Sequence, residues 1–442
     1  MIIRDRGVEI SDAVVRGAIS EFVREVRPRL CGLHDAYAGK GAITRRARRT
    51  GLPNNRLDHA FPRYIVTMTA GYLAGNPIKY SADEQPEALQ RLTEAYAACD
   101  IDSVDCELAS DASIYGKGIC VCYADENARP RAATLDPRQA FVVYDDTVEH
   151  RPIFGVHWYG VNEADGTPGG VVAHVHTGER TLTYKGGSIS TLALETEAMH
   201  AFGGVSMVEF WNGATETGDF EPVLSLIEAY DMIESDRVND KQQFTDAILL
   251  LTGCTLENGD PDDARSPAQK LIEEKTLALP DTDAKAEWLV KPGDEEGNEI
   301  LKNAIKADIH KMSMVPDLTD EHFASNASGV AMRYKLLGLE QLTRGKERWF
   351  RQALRERMAR FAAFFARLGA PELDTGAVKI TFTRALPVND SEVAAMVAQL
   401  HGVLPDEVLF AQVPFIEDVE TAMRQMAAQR EAEKRGTISP SK

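Results

Sequence analysis

The chain has 442 residues, of which 44% are hydrophobic and 26% are charged, as in an ordinary globular protein. Its formal net charge of −19 excludes a protein that grips nucleic acid over its whole surface, but not one past which nucleic acid slides. No run of 18 apolar residues occurs, so the sequence predicts no membrane-spanning helix.

The first third of the chain shows helical spacing. Residues 11–38 carry apolar side chains three and four positions apart, which predicts one or two amphipathic helices. A loop rich in Gly, Arg and Asn follows at 39–55. Helices are then predicted over 57–73, with Pro62 as an interior breaker, and over 87–115.

Between residues 116 and 210 the period changes to that of strands. Short runs such as "GICVCYAD", "AFVVYDD" and "VVAHVHTG" are separated by Gly, Asp and Pro, which predicts an antiparallel sheet region. Cys120 and Cys122 alternate onto one strand face and are expected to be buried and reduced, as in a cytosolic folding compartment. His174 and His176 also share a face, and without a third ligand we expect surface histidines rather than a metal site.

The second half is organised around long helices. Residues 220–251 predict one helix, 298–314 a second and 328–368 a third, with a strand at 377–386 and a helical module at 391–435. The segment 248–297 between the first two helices mixes strand-like and helix-like runs with turn compositions, so it reads as a compact insertion. A polar loop at 315–327 directly precedes the third helix.

Motifs of catalysis and cofactor binding are missing from the sequence. No phosphate-binding glycine loop, dinucleotide fingerprint, serine elbow or paired zinc spacing is present. The 68 Asp and Glu residues are too many to pair by sequence alone. The sequence therefore predicts no enzyme, no cofactor and no metal site.

Three stretches resemble one protein family. They are "PNNRLDHAFPRYIVTMTAGYLAGNPIKY" (53–80), "FEPVLSLIEAYDMIESDRVND" (220–240) and "DLTDEHFASNASGVAMRYKLLGLEQLTRGKERWF" (317–350). They are similar to the portal proteins of tailed bacteriophages, in the branch typical of long, non-contractile tails. Element order agrees from about residue 20 to residue 430.

The resemblance implies an α+β portal fold, forming a ring, usually dodecameric, at one capsid vertex through which double-stranded DNA enters and leaves. It implies docking of terminase and of a head-completion adaptor, contacts with major capsid and scaffolding proteins, and assembly in the host cytoplasm into the virion. Its parts map onto this chain as wing (1–219), stem helix (220–247), clip (248–297), second stem helix (298–314), tunnel loop (315–328), wing helix and strand (329–386), and crown and tail (387–442).

The resemblance places the polar loop against DNA. The loop is acidic, with no Lys or Arg before Arg333, so it is expected to repel DNA rather than hold it. Phe323 has two readings, an anchor against a neighbouring helix or subunit, and a contact to DNA. The candidate DNA-facing residues are Asp317, Asp320, Glu321, His322, Phe323 and Asn326.

The long helix after the loop is basic. One interpretation is a core helix with a solvated basic face, and the other is a basic surface that meets an acidic helix of the adjacent subunit. A head-to-tail ring needs two different complementary patches. The candidate interface residues are Arg344, Arg348, Arg351, Arg355, Glu228, Asp231 and Glu234.

Two other functions stay open at the level of sequence. A nucleic-acid-processing enzyme of a phage would need clustered metal-binding carboxylates in a β-rich core. A head–tail adaptor of another fold would bind protein only.

Overall fold

The computed structural model describes residues 1–47, 53–82, 84–244, 248–252, 285–289, 295–318, 334–384 and 390–410, with 413, 419 and 422–428. Within these ranges helices and sheets are mixed, so the predicted α+β class is confirmed. The α-helices are α1 (Asp12–Glu21), α2 (Arg27–Tyr37), α3 (Phe61–Ala74), α4 (Pro86–Ala98), α5 (Ile101–Tyr115), α6 (Leu224–Phe244), α7 (Glu295–Ser313), α8 (Leu337–Arg367), α9 (Asp390–Leu400) and α10 (Asp406–Phe410).

Pro62 begins a helix and does not interrupt one. The predicted helix over 57–73 is wrong at its start, because α3 begins at Phe61 and Pro62 lies in its first turn. A proline there loses no intrahelical hydrogen bond, since the first N–H groups of a helix have no partner within it. Residues 57–60 lie outside any helix or strand and lead into α3.

Two main sheets fill the strand-rich region. The six-stranded sheet has the order β1-β5-β6-β7-β8-β9, in which β1 runs parallel to β5 and the other pairs are antiparallel. The three-stranded sheet has the order β10-β3-β4 and is antiparallel. The strands are β1 (Ile2–Arg4), β2 (Lys79–Ser81), β3 (Lys117–Ala124), β4 (Pro130–Leu135), β5 (Ala140–Asp145), β6 (Pro152–Asn162), β7 (Pro168–His176), β8 (Arg180–Gly186), β9 (Ala193–Met199), β10 (Met207–Trp211), β11 (Ile248–Thr252), β12 (Lys285–Leu289) and β13 (Lys379–Thr381).

Hydrophobic cores hold the helices to the sheets. One lies between the six-stranded sheet and α1, α2 and α3, and a second surrounds α8. Phe350, Leu354 and Phe361 of α8 are at most 1% exposed and follow the predicted apolar stripe. The thiols of Cys120 and Cys122 are buried and free, as expected.

Helices α6 and α7 pack against each other, and β11 and β12, which lie between them in the sequence, form an antiparallel pair. Ion pairs join them: Arg237 of α6 lies 2.8 Å from Glu299 of α7, and Lys302 of α7 lies 3.7 Å from Glu234 of α6. The strands β11 and β12 fall inside the predicted 248–297 insertion. Most of that insertion lies outside the described residues.

His176 corrects the expectation of surface histidines. It is 9% exposed, and its Nδ1 lies 2.9 Å from the Ser206 hydroxyl. His174 is half-buried between the Tyr159 and Thr183 hydroxyls. Burial, reinforced by the neighbouring histidines, lowers the pKa of His176 to about 3.

This buried histidine predicts a pH dependence of stability. The unfolded chain binds a proton at His176 below about pH 6.5 and the folded chain only near pH 3, so stability falls as pH drops through that window. The slope contributed is about 1.4 kcal/mol per pH unit. Denaturant unfolding between pH 7 and 5 should show a shallower decline for His176→Gln than for the wild type. Equal slopes would contradict the prediction.

Candidate functional site: the polar loop, its supporting helices and the charged faces

The first acidic residue of the polar loop is held by α7. The Asp317 carboxylate lies 2.7 Å from the Lys306 ammonium and 3.9 Å from Nε2 of His310. Asp320, Glu321, His322, Phe323 and Asn326 lie outside the described residues. At this end the loop therefore has a cation close by, contributed by a helix that precedes it in the chain.

The start of the loop is fixed to two helices. The Tyr64 hydroxyl of α3 donates to the Pro316 carbonyl at 2.7 Å and accepts from the Leu318 amide at 3.2 Å. Nδ1 of His310 in α7 lies 3.0 Å from the Val315 carbonyl, and Val315 itself is fully buried. Burial also raises the pKa of Tyr64, so its hydroxyl stays protonated. The first residues of the loop, 315–318, are thus fixed to both helices.

Arg46 and residues 53–59, which precede α3, run along α6 and make a series of polar contacts with its side chains. We call these contacts the clasp. Asn55 contributes two donors to the side-chain oxygen of Asn239, its amide at 2.6 Å and its side-chain nitrogen at 3.0 Å. The Leu57 amide donates to Ser235 at 2.9 Å. Arg46 pairs with Asp236 at 2.8 Å, and the amide and the ring of His59 contact Asp231 at 3.0 and 2.7 Å. The sequence identified this stretch as distinctive, but its role in fixing α6 needs the structure.

The clasp predicts a stability cost for Asn239→Ala. Asn239 is fully buried and is the acceptor for two Asn55 donors. Removing it takes the acceptor away from the Asn55 amide, while the Asn55 side-chain nitrogen keeps its contact to Gln242 at 2.9 Å, so a loss of about 1 kcal/mol is expected. Chemical denaturation should show this loss. The matched control is Asn239→Asp, which keeps an acceptor oxygen and should lose less; equal losses would contradict the hydrogen-bond explanation.

The four predicted interface arginines on α8 differ in whether they form ion pairs within the chain. Arg344 pairs with Glu340 at 2.7 Å, and Arg351 pairs with Glu347 while lying over the Phe382 ring at 5.5 Å. Arg348 and Arg355 are exposed, and no ion pair joins either to the described residues. Among the four predicted interface arginines, these two are thus available to a partner.

The acidic residues predicted on α6 differ in the same way. Glu228 is exposed. Asp231 is 4% exposed and bound to His59, so its carboxylate faces inward and offers no surface to a neighbour. Glu234 lies 3.1 Å from Arg237 within the chain. The structure therefore leaves Glu228 as the exposed acid of the three.

Two cations of the basic helix α8 are buried rather than solvated. Lys346 lies 2.6 Å from Asp219, and Arg357 makes two contacts to Asp105 at 2.6 and 3.1 Å. Burial by itself would lower the pKa of Arg357, but the Asp105 charge and the neighbouring Tyr96 and Tyr80 together outweigh it, and the pKa is raised. One signal was present in the sequence: Lys346 and Arg357 share the helical phase of Phe350, Leu354 and Phe361.

The described ranges contain no cluster of three or more His, Cys, Asp or Glu side chains that could hold a metal ion. In the same ranges no helix is both long and apolar enough to cross a bilayer.

Comparison with known families assigns the chain. It belongs to the phage portal proteins, because a model of that family matches residues 23–436, nearly the whole sequence. Within this class the matching family is described as phage portal protein, SPP1 Gp6-like. Phage portal proteins are structural components of the virion.

Two curated relatives agree with this assignment. The portal protein of Clostridium phage phiCD119 is 23% identical over 407 residues, covering 87% of this chain and 87% of the relative. The portal protein of Bacillus phage SPP1 is 24% identical over 384 residues, covering 83% of this chain and 74% of the relative. The resemblance found in the three sequence stretches is thereby confirmed.

Proposed function

We propose that the chain assembles into a homo-oligomeric ring, with twelve subunits, at one vertex of the capsid. Double-stranded DNA passes through its centre during packaging and ejection. The observation that carries this proposal is the portal-family match over residues 23–436. The ring would dock the terminase during packaging and the head-completion adaptor afterwards, and would contact major capsid and scaffolding proteins during assembly in the host cytoplasm.

We assign the parts of the portal to ranges of this chain. Residues 1–219 form the wing with its sheets, and 220–247 and 298–314 form the stem helices. The clip is 248–297, the tunnel loop is 315–328, the wing helix and strand are 329–386, and the crown and tail are 387–442. The packing of α6 on α7, with β11 and β12 between them in sequence, supports the placement of stem and clip.

The tunnel loop is proposed to face the DNA without holding it. DNA carries one charge per ~1.7 Å, and each phosphate neutralised by a cation adds affinity, so a channel for sliding avoids fixed cations. Asp320 and Glu321 repel phosphate, and His322, Phe323 and Asn326 supply weak contacts that do not depend on base sequence. Asp317 has a different role, because its pairing with Lys306 neutralises the cation nearest to the loop base.

The subunit interface is proposed to join the basic face of α8 to the acidic side of α6 in the next copy. A closed head-to-tail ring needs two unlike patches on each subunit. Arg348 and Arg355 supply the basic patch, and Glu228 supplies the acidic one. The other predicted interface residues are paired within the chain and lie beside these patches: Arg344, Arg351, Asp231 and Glu234.

Electron microscopy and native mass of the purified protein test the ring. Twelve chains of 48.6 kDa give about 580 kDa, and particles with an open central hole are expected. The alternative of a nucleic-acid-processing enzyme is tested on the same sample with duplex DNA and Mg²⁺ or Mn²⁺. Intact DNA is expected; a monomer that cleaves DNA would overturn the proposal.

A further inference from the structure

A cavity of about 220 Å³ opens between α2, α3 and α6. At ~30 Å³ per water it has room for about seven waters, or for one long side chain. Leu33, Leu224 and Ile227 give it apolar walls, and Asp58 and Glu228 stand among its lining residues. This cavity is called the acidic pocket below.

The acidic pocket has two lining carboxylates without an ion pair among the described residues, Asp58 and Glu228, and a further one, Asp231, that is bound to the His59 ring. Its two arginines are already compensated, Arg29 by Glu221 and Arg45 by Asp35. Among the described contacts, Glu228 has no ion pair, and Asp58 accepts a hydrogen bond from the Gly41 amide at 2.7 Å. An incoming guanidinium would meet both carboxylates, and its methylene stem would lie against the apolar walls.

The opposite feature is a shallow groove on α8, called the arginine groove. Its lining includes Arg348, Arg351, Gln352, Arg355 and Glu356. Arg348 and Arg355 are seven residues apart, so they project from the same face about two turns apart. Arg351 between them is bound to Glu347, and Glu356 is the acid of the groove. The groove is basic, so its partner is expected to be acidic. Because the chain carries a net charge of −19, another copy of the chain can supply that acidic surface.

We infer that Arg355 of one subunit enters the acidic pocket of the next subunit, where it binds Glu228 and Asp58, with Arg348 contacting the rim. The pocket and the groove share no lining residue, so one subunit can use both at once. This is the pair of unlike patches that a head-to-tail ring requires. The inference rests on the proposed function, since it names the contact that closes the proposed ring.

Two single charge reversals test the contact, Glu228→Arg and Arg355→Glu. Each places like charges together at every interface, and we expect the ratio of rings to monomers to fall at least tenfold. Glu126→Arg, in an exposed turn, and Arg367→Glu, on an exposed part of α8, are matched controls that should leave rings intact. Thermal unfolding of each variant checks that it is folded. If a charge reversal unfolds the chain, Glu228→Gln and Arg355→Gln are used in its place. Dissociation of their rings should depend less on salt concentration than dissociation of wild-type rings.

Mixing the two reversed variants gives the sharpest outcome. In an alternating ring the carboxylate introduced at position 355 of one variant faces the guanidinium introduced at position 228 of the other, and every remaining interface keeps its native pair. Equal mixing should therefore restore rings that neither variant forms alone, and electrophoresis or mass should show both variants in equal number. No restoration would overturn the inference.

The remaining outcomes separate the two proposals. If the wild type and Glu228→Arg form rings of equal stability, the inferred contact is wrong, whereas the proposed ring itself is supported. A wild type that forms no ring would overturn both. If Arg355→Glu rings assemble normally but bind duplex DNA more weakly than wild-type rings, the arginine groove binds DNA phosphates and not the next subunit.

Discussion

Replacing Arg357 by methionine is expected to lower the free energy of unfolding by about 3–5 kcal/mol, since it breaks a buried ion pair. Arg357 is fully buried and bound to Asp105, which is 1% exposed. Its guanidinium also lies over the rings of Tyr96 and Phe210 at 5.1 and 5.5 Å. Removing it leaves the Asp105 carboxylate in an apolar core with no cation.

The measurement is denaturant unfolding, with Arg367→Met as the control because Arg367 is exposed on the same helix. The control should change stability by less than about 0.5 kcal/mol. The double variant Arg357→Met/Asp105→Leu should regain most of the loss, because an apolar pair of similar size needs no desolvation of charge. A double variant as unstable as Arg357→Met would show that packing, rather than the stranded charge, is responsible.

Lys346→Met is expected to have a similar effect, about 3–5 kcal/mol, for the same reason. The Lys346 ammonium donates to Asp219 at 2.6 Å and to the Ser113 hydroxyl at 2.7 Å, and its side chain is 3% exposed. It holds the pKa of Asp219 below its usual range against the effect of burial. Asp219 precedes α6 by five residues, so this pair also fixes the entry of α6 relative to α8.

Thermal and denaturant unfolding should both report the loss in Lys346→Met. Lys379→Met, at an exposed position of β13, is the control and should be nearly neutral. Adding Asp219→Asn to Lys346→Met removes the stranded charge and keeps an acceptor for Asn212, which donates to Asp219 at 2.8 Å. Partial recovery is expected, and a further loss would contradict the electrostatic explanation.

The periodicity of the sequence predicted most of the helices and their buried faces, but the helix predicted over 220–251 was wrong at its end, because α6 ends at Phe244 and residues 248–251 belong to β11. The stripe of Phe350, Leu354 and Phe361 on α8 was predicted correctly, because hydrophobic burial follows the 3.6-residue repeat regardless of the partner. Pro62 was interpreted wrongly, because a proline signals a helix start and a helix break in the same way until the helix boundary is known.

The charged residues could not be assigned in this way. Lys346 and Arg357 looked like solvated cations, but their partners lie 127 and 252 residues away in sequence. Asp231 looked like an exposed acid, and it binds His59 across 172 residues. Electrostatic pairing depends on distance in space, and the spacing of residues along a chain does not carry that information over such separations.

The sequence by itself determined the family, the α+β class, most of the helices, and the polar character of the loop before α8. These follow from local patterns, since periodicity and turn composition act over a few residues. Only the tertiary structure decided which charges are buried in pairs, which remain on the surface, and how Tyr64, Lys306 and His310 hold the base of the loop. The physical reason is that a charge takes its role from its solvation and its partner, and both are set when distant segments pack together.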